Sequence, residues 1–114
     1  MNHIDIDLIN QNMFDNTDLI KQFVSMYLIQ TPVDLDNLRN ALNTDNHQKI
    51  ADAAHHIKPT MDYIGAFHLK AKFENLELSA KNQESLEGLR ATFEVLDIEM
   101  KELLFELEQY KKTI

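Results

Sequence analysis

The sequence predicts an all-α protein, an antiparallel up-and-down four-helix bundle with one or two short N-terminal helices. Only 2 glycines and 2 prolines occur in 114 residues, which leaves few of the turns that sheet proteins need. Apolar residues recur at helical spacing along most of the chain, and a hydrophobic content of 44% favours a folded core over disorder. No linker or internal repeat divides the sequence, so residues 1–114 are expected to form a single domain.

Three helical segments are predicted in the first part of the chain. The first spans residues 4–13, and the second spans 17–30 after an N-cap cluster at 16–18. The third begins with Thr31 as its N-cap and Pro32 at the first helical position, where the missing N–H costs nothing. It ends near residue 43. The two segments before residue 31 are expected to cap or extend one end of the bundle.

Three longer helices follow, at about residues 46–64, 66–82 and 84–110. The first of these carries an apolar stripe, and the last has a sustained alternation of three- and four-residue spacing that is typical of a bundle seam. The seam residues are Leu86, Leu89, Phe93, Leu96, Met100, Leu103, Leu107 and Tyr110. Short connections make consecutive helices antiparallel.

Composition and charge exclude several classes of function. A net charge of −8 argues against a nucleic-acid surface, which needs clustered lysine and arginine. No apolar run approaches the roughly 18 residues that a membrane span requires, and the N-terminus lacks the features of a signal peptide. The absence of cysteine removes disulfides and thiol catalysis. We therefore expect a cytoplasmic protein that binds neither membrane nor nucleic acid.

His55 is the most informative residue, because it lies opposite the apolar stripe of its helix. The stripe comprises Ile50, Ala54, Ile57, Met61 and Ile64. At about 100° per residue, His55 is rotated by roughly 140° from the centre of that stripe. A histidine so placed does not fill a core and is available to react with a partner or bind it.

Charged residues and a proline surround His55. Lys58, one turn on, is within reach of a group attached to the imidazole. Asp52 and Asp62 either accept a hydrogen bond from the ring or favour its charged form, and the sequence leaves open which effect prevails. Pro59 removes the N–H that would bond to the carbonyl of His55. The resulting bend is either without consequence or aims His55 at a partner.

Residues 54–60, Ala-His-His-Ile-Lys-Pro-Thr, resemble the signature of histidine-containing phosphotransfer (HPt) domains. The resemblance continues through Gly65, ten residues after the histidine, and through the next helix at Leu69, Phe73 and Leu76-Glu77. Upstream residues also match, so that the resemblance covers most of the chain. These are Phe23, the turn Gln30-Thr31-Pro32, Leu35 and Leu38.

The resemblance implies a role for each matching residue. His55 would be the phosphoryl acceptor, and Lys58 would neutralise the phosphate. Lys81 falls where many family members have a basic residue facing the histidine, although it is also spaced as the i+4 salt-bridge mate of Glu77. The remaining predicted phosphate- or partner-binding residues are Pro59, Thr60, Asp62 and Gly65.

The resemblance further implies a phosphoryl carrier in a bacterial-type His–Asp phosphorelay. Such a protein accepts phosphate from a receiver-domain aspartate and passes it to another receiver, without kinase activity of its own. The expected partners are response-regulator receiver domains and a hybrid sensor histidine kinase, with any Mg²⁺ on the receiver and no cofactor on this chain. A monomer is expected. The cognate partners, the stimulus, the direction of transfer, and whether the chain is freestanding or a module remain open.

The sequence is compatible with two alternative functions to different degrees. One is a helical adaptor bundle that binds partners without chemistry. The other is a metal site that uses the i, i+3 spacing of Asp52 and His55, but di-iron bundles need inward-pointing Glu-x-x-His motifs, which this sequence lacks.

Ordinary surface or boundary positions are predicted for His3, His47, His56 and His68. A small apolar patch beside the reactive histidine is expected to help form the docking surface. The residues predicted for it are Ile4, Leu8 and Met13.

Overall fold

The computed structural model describes residues 2–114, and all regular structure in this range is helical, which confirms the predicted fold class. The elements are α1 (Ile6–Asn12), α2 (Thr17–Leu42), α3 (His47–Ile57), a 3₁₀-helix (Lys58–Ile64), α4 (Phe67–Lys81) and α5 (Leu86–Lys112). Asn16 caps α2 by accepting a hydrogen bond from the backbone N–H of Leu19, as the N-cap cluster predicts.

Helices α2 to α5 form the bundle. Each packs against the next, and α5 returns to contact α2, so the four close around one core. The molecule measures 44 × 20 × 18 Å, close to the roughly 40 Å expected for the 27 residues of α5. The predicted seam of α5 is buried from Leu89 to Tyr110. No helix within residues 2–114 has both the length and the apolar composition needed to cross a membrane.

The predicted break between residues 30 and 31 is wrong, because α2 continues through Pro32 to Leu42. Its buried stripe stays in register across the proline, and Thr31 is a buried residue of that stripe rather than an N-cap. Packing against α3 and α5 therefore offsets the lost hydrogen bond of Pro32, whose ring lies on the exposed side. Consequently residues 17–30 are half of a bundle helix, and only α1 extends the end.

The predicted helix over 46–64 changes character at Lys58. Pro59 has no N–H to offer the carbonyl of His55, so the α-helix ends at Ile57 and a 3₁₀-helix continues to Ile64. The hydroxyl of Thr60 donates to the carbonyl of Ile57 at 2.6 Å and satisfies one of the terminal acceptors.

Gly65 ends the 3₁₀-helix in the left-handed conformation, with φ of 72°. An added Cβ at Gly65 would lie 2.6 Å from the Cβ of Asp5. The backbone N–H of Asp5 also donates to the carbonyl of Ile64 at 2.8 Å, so the N-terminal segment is attached to this turn. The backbone conformation and the close contact with Asp5 both require glycine at position 65. The presence of Gly65 is therefore explained by the fold, independently of the predicted phosphate- or partner-binding role.

Candidate functional site

His55 lies in the last turn of α3, and its side chain is 64% exposed. The buried face of α3 is formed by Ile50, Ala51, Ala54 and Ile57, so the stripe that predicts the outward position of His55 is present in the structure. The imidazole is thus attached to a rigid helix but stays open to solvent.

A buried carboxylate holds one side of the ring. Glu77, on the facing side of α4, has a side chain only 5% exposed, and its Oε2 lies 3.0 Å from His55 Nδ1. The same carboxylate accepts from Lys58 Nζ at 3.0 Å through Oε1 and contacts Lys81 Nζ at 3.0 Å through Oε2. Three polar groups from α3, the 3₁₀-helix and α4 therefore meet at one acid, which compensates for its burial.

The two lysines keep this acid charged. Burial by itself raises the pKa of Glu77, but the hydrogen bonds and positive charges of Lys81 and Lys58 outweigh it, and the pKa falls below its ordinary value of 4.5. In return, the hydrogen bond to Glu77 raises the pKa of Lys58. At neutral pH the site therefore holds one carboxylate and two ammonium groups.

The ionised carboxylate determines the tautomer of His55. A carboxylate only accepts hydrogen bonds, so Nδ1 must carry the proton that it donates to Glu77. In the neutral imidazole, Nε2 is then left with an unprotonated lone pair. Within residues 2–114 no hydrogen bond engages Nε2, and this nitrogen is positioned as a nucleophile.

The structure brings Lys58 and Lys81 to His55 through Glu77, and Pro59 is exposed directly after Lys58. For Lys81, the i+4 salt bridge with Glu77 is observed. The same contact places the ammonium group of Lys81 on Glu77, which also contacts His55. The position of Lys81 is therefore compatible both with a salt-bridge role and with a basic group near the histidine.

The predicted aspartates do not reach His55. Asp62 forms an ion pair with Lys70 at 2.9 Å, and Asp52 accepts from Gln48 Nε2 at 2.7 Å. Both carboxylates are engaged by other surface side chains. The acid that contacts the imidazole is instead Glu77 on the neighbouring helix.

Thr60 faces inward. Besides its bond to the carbonyl of Ile57, its hydroxyl oxygen lies 3.5 Å from the hydroxyl of the buried Tyr27. Burial raises the pKa of Tyr27, which keeps this phenol neutral. Thr60 therefore connects the 3₁₀-helix to α2, and its hydroxyl forms no hydrogen bond with His55.

The predicted docking patch is not exposed. Ile4 is buried in the core, and Leu8 and Met13 are half-buried, because α1 packs against the 3₁₀-helix. Exposed apolar side chains occur instead on α2, at Met26, Ile29 and Val33.

Three of the remaining histidines, His47, His56 and His68, are exposed or half-buried, and His3 is buried. His56 is exposed beside the buried Asp34, and His47 contacts the backbone oxygen of Glu84, so both lie at the surface or boundary as predicted. His3 is different, because it is buried and hydrogen-bonded to His68. The prediction of an ordinary surface position is wrong for His3.

Glu77 is the site residue that was missing from the predicted set. It follows Leu76 on the buried side of α4, between Phe73 and Ala80, all of them buried. A lone acid among apolar stripe positions must find a buried partner, and that signal is present in the sequence.

Comparisons with known proteins identify the family and the fold. The family model for the Hpt domain matches residues 22–110, which is most of the chain. The fold is similar to the crystal structure of histidine-containing phosphotransfer protein B (HptB) from Pseudomonas aeruginosa PAO1, with a TM-score of 0.88 and 21% sequence identity over 99% of this chain and 97% of that chain. No curated protein matches the sequence. The chain belongs to the Hpt domain family.

Proposed function

We propose that this protein carries a phosphoryl group on His55 Nε2 between receiver domains of a His–Asp phosphorelay. Membership of the Hpt domain family supports a histidine phosphotransfer carrier rather than an enzyme. The single observation that carries the assignment to His55 is the hydrogen bond between Nδ1 and the buried Glu77, which in the neutral ring leaves the lone pair of Nε2 available on an exposed side chain.

In the first step the lone pair of Nε2 attacks the phosphorus of a receiver phosphoaspartate. The N–P bond forms as the P–O bond to the aspartyl oxygen breaks, and the aspartate leaves as a carboxylate. The proton on Nδ1 stays in place. Transfer to a second receiver reverses these changes, with an aspartyl oxygen attacking phosphorus and Nε2 leaving as the neutral imidazole.

Glu77 and the lysines act on different charges in this step. As the N–P bond forms, positive charge develops on the ring, and the carboxylate at Nδ1 stabilises it. Lys58 and Lys81 supply ammonium groups for the phosphoryl oxygens, whose charge is otherwise repelled by an acidic protein of net charge −8. Positioning and charge neutralisation are the main requirements of phosphoryl transfer.

The partner supplies the rest of the chemistry. We expect Mg²⁺ to be bound by the receiver domain, and we expect this chain to have no autonomous kinase activity and to act as a monomer in the cytoplasm. A hybrid sensor histidine kinase is the expected upstream source of phosphate. The direction of net transfer depends on which partners are phosphorylated.

Helix α2 offers a docking surface beside the histidine. The contact of His56 with Asp34 joins α3 to α2 next to His55. Met26, Ile29 and Val33 lie on α2 within about two turns of Asp34 and expose apolar surface. We propose that a receiver covers this part of α2 together with the end of α3.

Transfer of labelled phosphate tests the acceptor. A receiver carrying radiolabelled phosphoaspartate should label the wild-type protein, and His55→Gln should abolish labelling. The adjacent His56→Gln is the matched control and should remain labelled. The bond should be labile in acid and stable in alkali, as expected for a phosphoramidate. Labelling that persists in His55→Gln would exclude this residue, and a protein that binds receivers without taking label would be an adaptor.

The docking surface can be tested separately from the chemistry. Phosphoramidate, a small donor that needs no docking surface, should phosphorylate Met26→Glu at the wild-type rate. Transfer from a receiver should fall about tenfold or more, because a buried charge without a partner opposes docking. Glu87→Gln, at an exposed position on α5, serves as a control for a surface charge change. Equal receiver transfer in Met26→Glu and wild type would remove α2 from the interface.

A further inference from the structure

We propose that the N-terminal segment, α4 and α5 together form a binding site for a divalent transition-metal ion of the zinc class, with His3 Nδ1, His68 Nε2 and the carboxylate of Glu99 as ligands. One ligand atom from each of the three residues lies within 4.8 Å of the others, and His3 Nδ1 and His68 Nε2 are the facing pair of nitrogens. His68 lies in the first turn of α4, nine residues or about 13 Å along the helix from Glu77. The site is therefore separate from the proposed phosphotransfer site.

The two imidazoles face each other through their nitrogens. His3 Nδ1 and His68 Nε2 are 2.8 Å apart, the ring planes differ by only 14°, and the centroids are 5.0 Å apart. Because the centroid separation exceeds the nitrogen separation by about two ring radii, both nitrogens lie on the line between the rings. A single proton bridges them in the metal-free form. A metal ion would take the place of that proton, which would pass through solvent to Nδ1 of the exposed His68, so that both facing nitrogens present lone pairs and the ring stays neutral.

The carboxylate of Glu102 holds His3 in the tautomer that a metal needs. His3 Nε2 lies 2.9 Å from Glu102 Oε2, so the proton of the neutral ring is on Nε2 and Nδ1 presents its lone pair. Metal-bound histidines commonly donate their other N–H to a carboxylate in this way, which fixes the ring and raises its basicity. Glu102 would thus orient a ligand without binding the ion itself.

The backbone around His3 is also held in place. Glu106 accepts from the backbone N–H of His3 at 2.9 Å and from that of Ile4 at 3.2 Å, and His3 is only 9% exposed. A first ligand is therefore buried and oriented before any ion arrives. Such preorganisation reduces the entropy lost on binding.

Small movements of the other two ligands would complete the coordination. Tetrahedral zinc with bonds of about 2.0–2.1 Å to nitrogen separates two ligand nitrogens by roughly 3.3 Å. The imidazoles must therefore move apart by about half an ångström and tilt, so that their lone pairs converge on the ion instead of pointing at each other. His68 is exposed and free to shift, whereas His3 is held. Glu99 would exchange its ion pair with Lys72 for the metal. Two imidazoles and one carboxylate without thiolate suit zinc and its neighbours, and leave a position for water.

Zinc titration of the tag-free full chain tests this site. Calorimetry with zinc chloride should show saturable uptake of one ion per chain by the wild type, and His47→Gln, which removes a histidine elsewhere, should bind equally. His68→Gln and Glu99→Gln, at a surface histidine and a surface-paired acid, should each bind at least tenfold more weakly. Glu102→Gln should weaken binding by about tenfold through the orientation of His3. Zinc should raise the Tm of the wild type and not that of His68→Gln.

Nitrogen-15 NMR of the histidine rings identifies the ligand atoms. On zinc binding, the resonances of His3 Nδ1 and His68 Nε2 should shift, while those of His55 and His56 stay unchanged. Shifts confined to His55 or His56, unchanged affinity in His68→Gln, or no saturable uptake by the wild type would each overturn the proposal. None of these results depends on phosphoryl transfer, so failure here leaves the proposed function untouched.

Discussion

At the residue scale, one buried acid organises the site. Glu77 determines the tautomer of His55 and takes hydrogen bonds or ion pairs from Lys58 and Lys81. The outward position of His55 and the place of Lys58 could be predicted from helical spacing. The partner of His55 could not, because Asp52 and Asp62 are nearer in sequence and only the packing of α4 against α3 brings Glu77 to the ring.

Glu77→Gln should slow phosphorylation of His55 while leaving the histidine in place. The amide is neutral, so it stabilises the developing positive ring charge less than a carboxylate does. We expect the rate with phosphoramidate to fall about tenfold to a hundredfold, the equivalent of the roughly 1.5–3 kcal/mol of a hydrogen bond to a charged group.

The matched control is Glu94→Gln, which makes the same charge change at an exposed position on α5. Long-range proton–nitrogen NMR of His55 should show Nδ1 protonated in the wild type and in the control, and a mixture of tautomers in Glu77→Gln. Equal phosphorylation rates in the two variants would contradict the role given to Glu77.

At the element scale, the two prolines have opposite effects on their helices. Pro59 coincides with the end of α3 and the change to a 3₁₀-helix, whereas α2 passes through Pro32 without ending. Local sequence favours a boundary at both positions. The difference arises from tertiary packing, because α2 buries a stripe on both sides of Pro32 against α3 and α5. A single sequence shows the stripe but not the neighbours that hold it.

Pro32→Ala should therefore stabilise the protein. Alanine restores an N–H for the carbonyl of Leu28 and removes the ring from the interior of α2. We expect the free energy of unfolding to rise by about 1–3 kcal/mol, below the full difference between proline and alanine in a helix because proline also restricts the unfolded chain. Urea denaturation measures the change. Val33→Ala, at the next exposed position, should alter stability far less, and a destabilised Pro32→Ala would show that α2 depends on the proline.

At the scale of the whole molecule, the fold class and the bundle topology follow from composition and from the long seam of α5, and both were predictable. The attachment of the N-terminal segment was not. Hydrogen bonds of His3 to His68 and Glu102 attach the segment before α1 to α4 and α5, and Asp5 contacts the turn at Gly65. Helical periodicity in the sequence does not reveal such long-range contacts. The burial of His3 could therefore not be predicted from its position in the sequence.

The stability of the whole molecule should depend on pH through Glu77. Its pKa is lowered in the folded state, so its contribution is fully present above the ordinary value of 4.5 and is lost as the pH falls through the lower folded pKa. We expect the difference in unfolding free energy between wild type and Glu77→Gln to be largest at neutral pH and to shrink below pH 4.5. Urea denaturation at a series of pH values measures it. A difference that is constant down to strongly acidic pH would contradict the ionised buried carboxylate.

If His55 Nε2 carries the phosphoryl group as proposed, its position on one side of a narrow bundle has a kinetic consequence. The proposed donor and recipient would each approach Nε2 from the same open side, so we expect their footprints to overlap and the two to bind one at a time. The loaded carrier has to separate from one partner before it meets the next. Throughput is then governed by how quickly complexes fall apart and by how long the N–P bond survives in water between encounters.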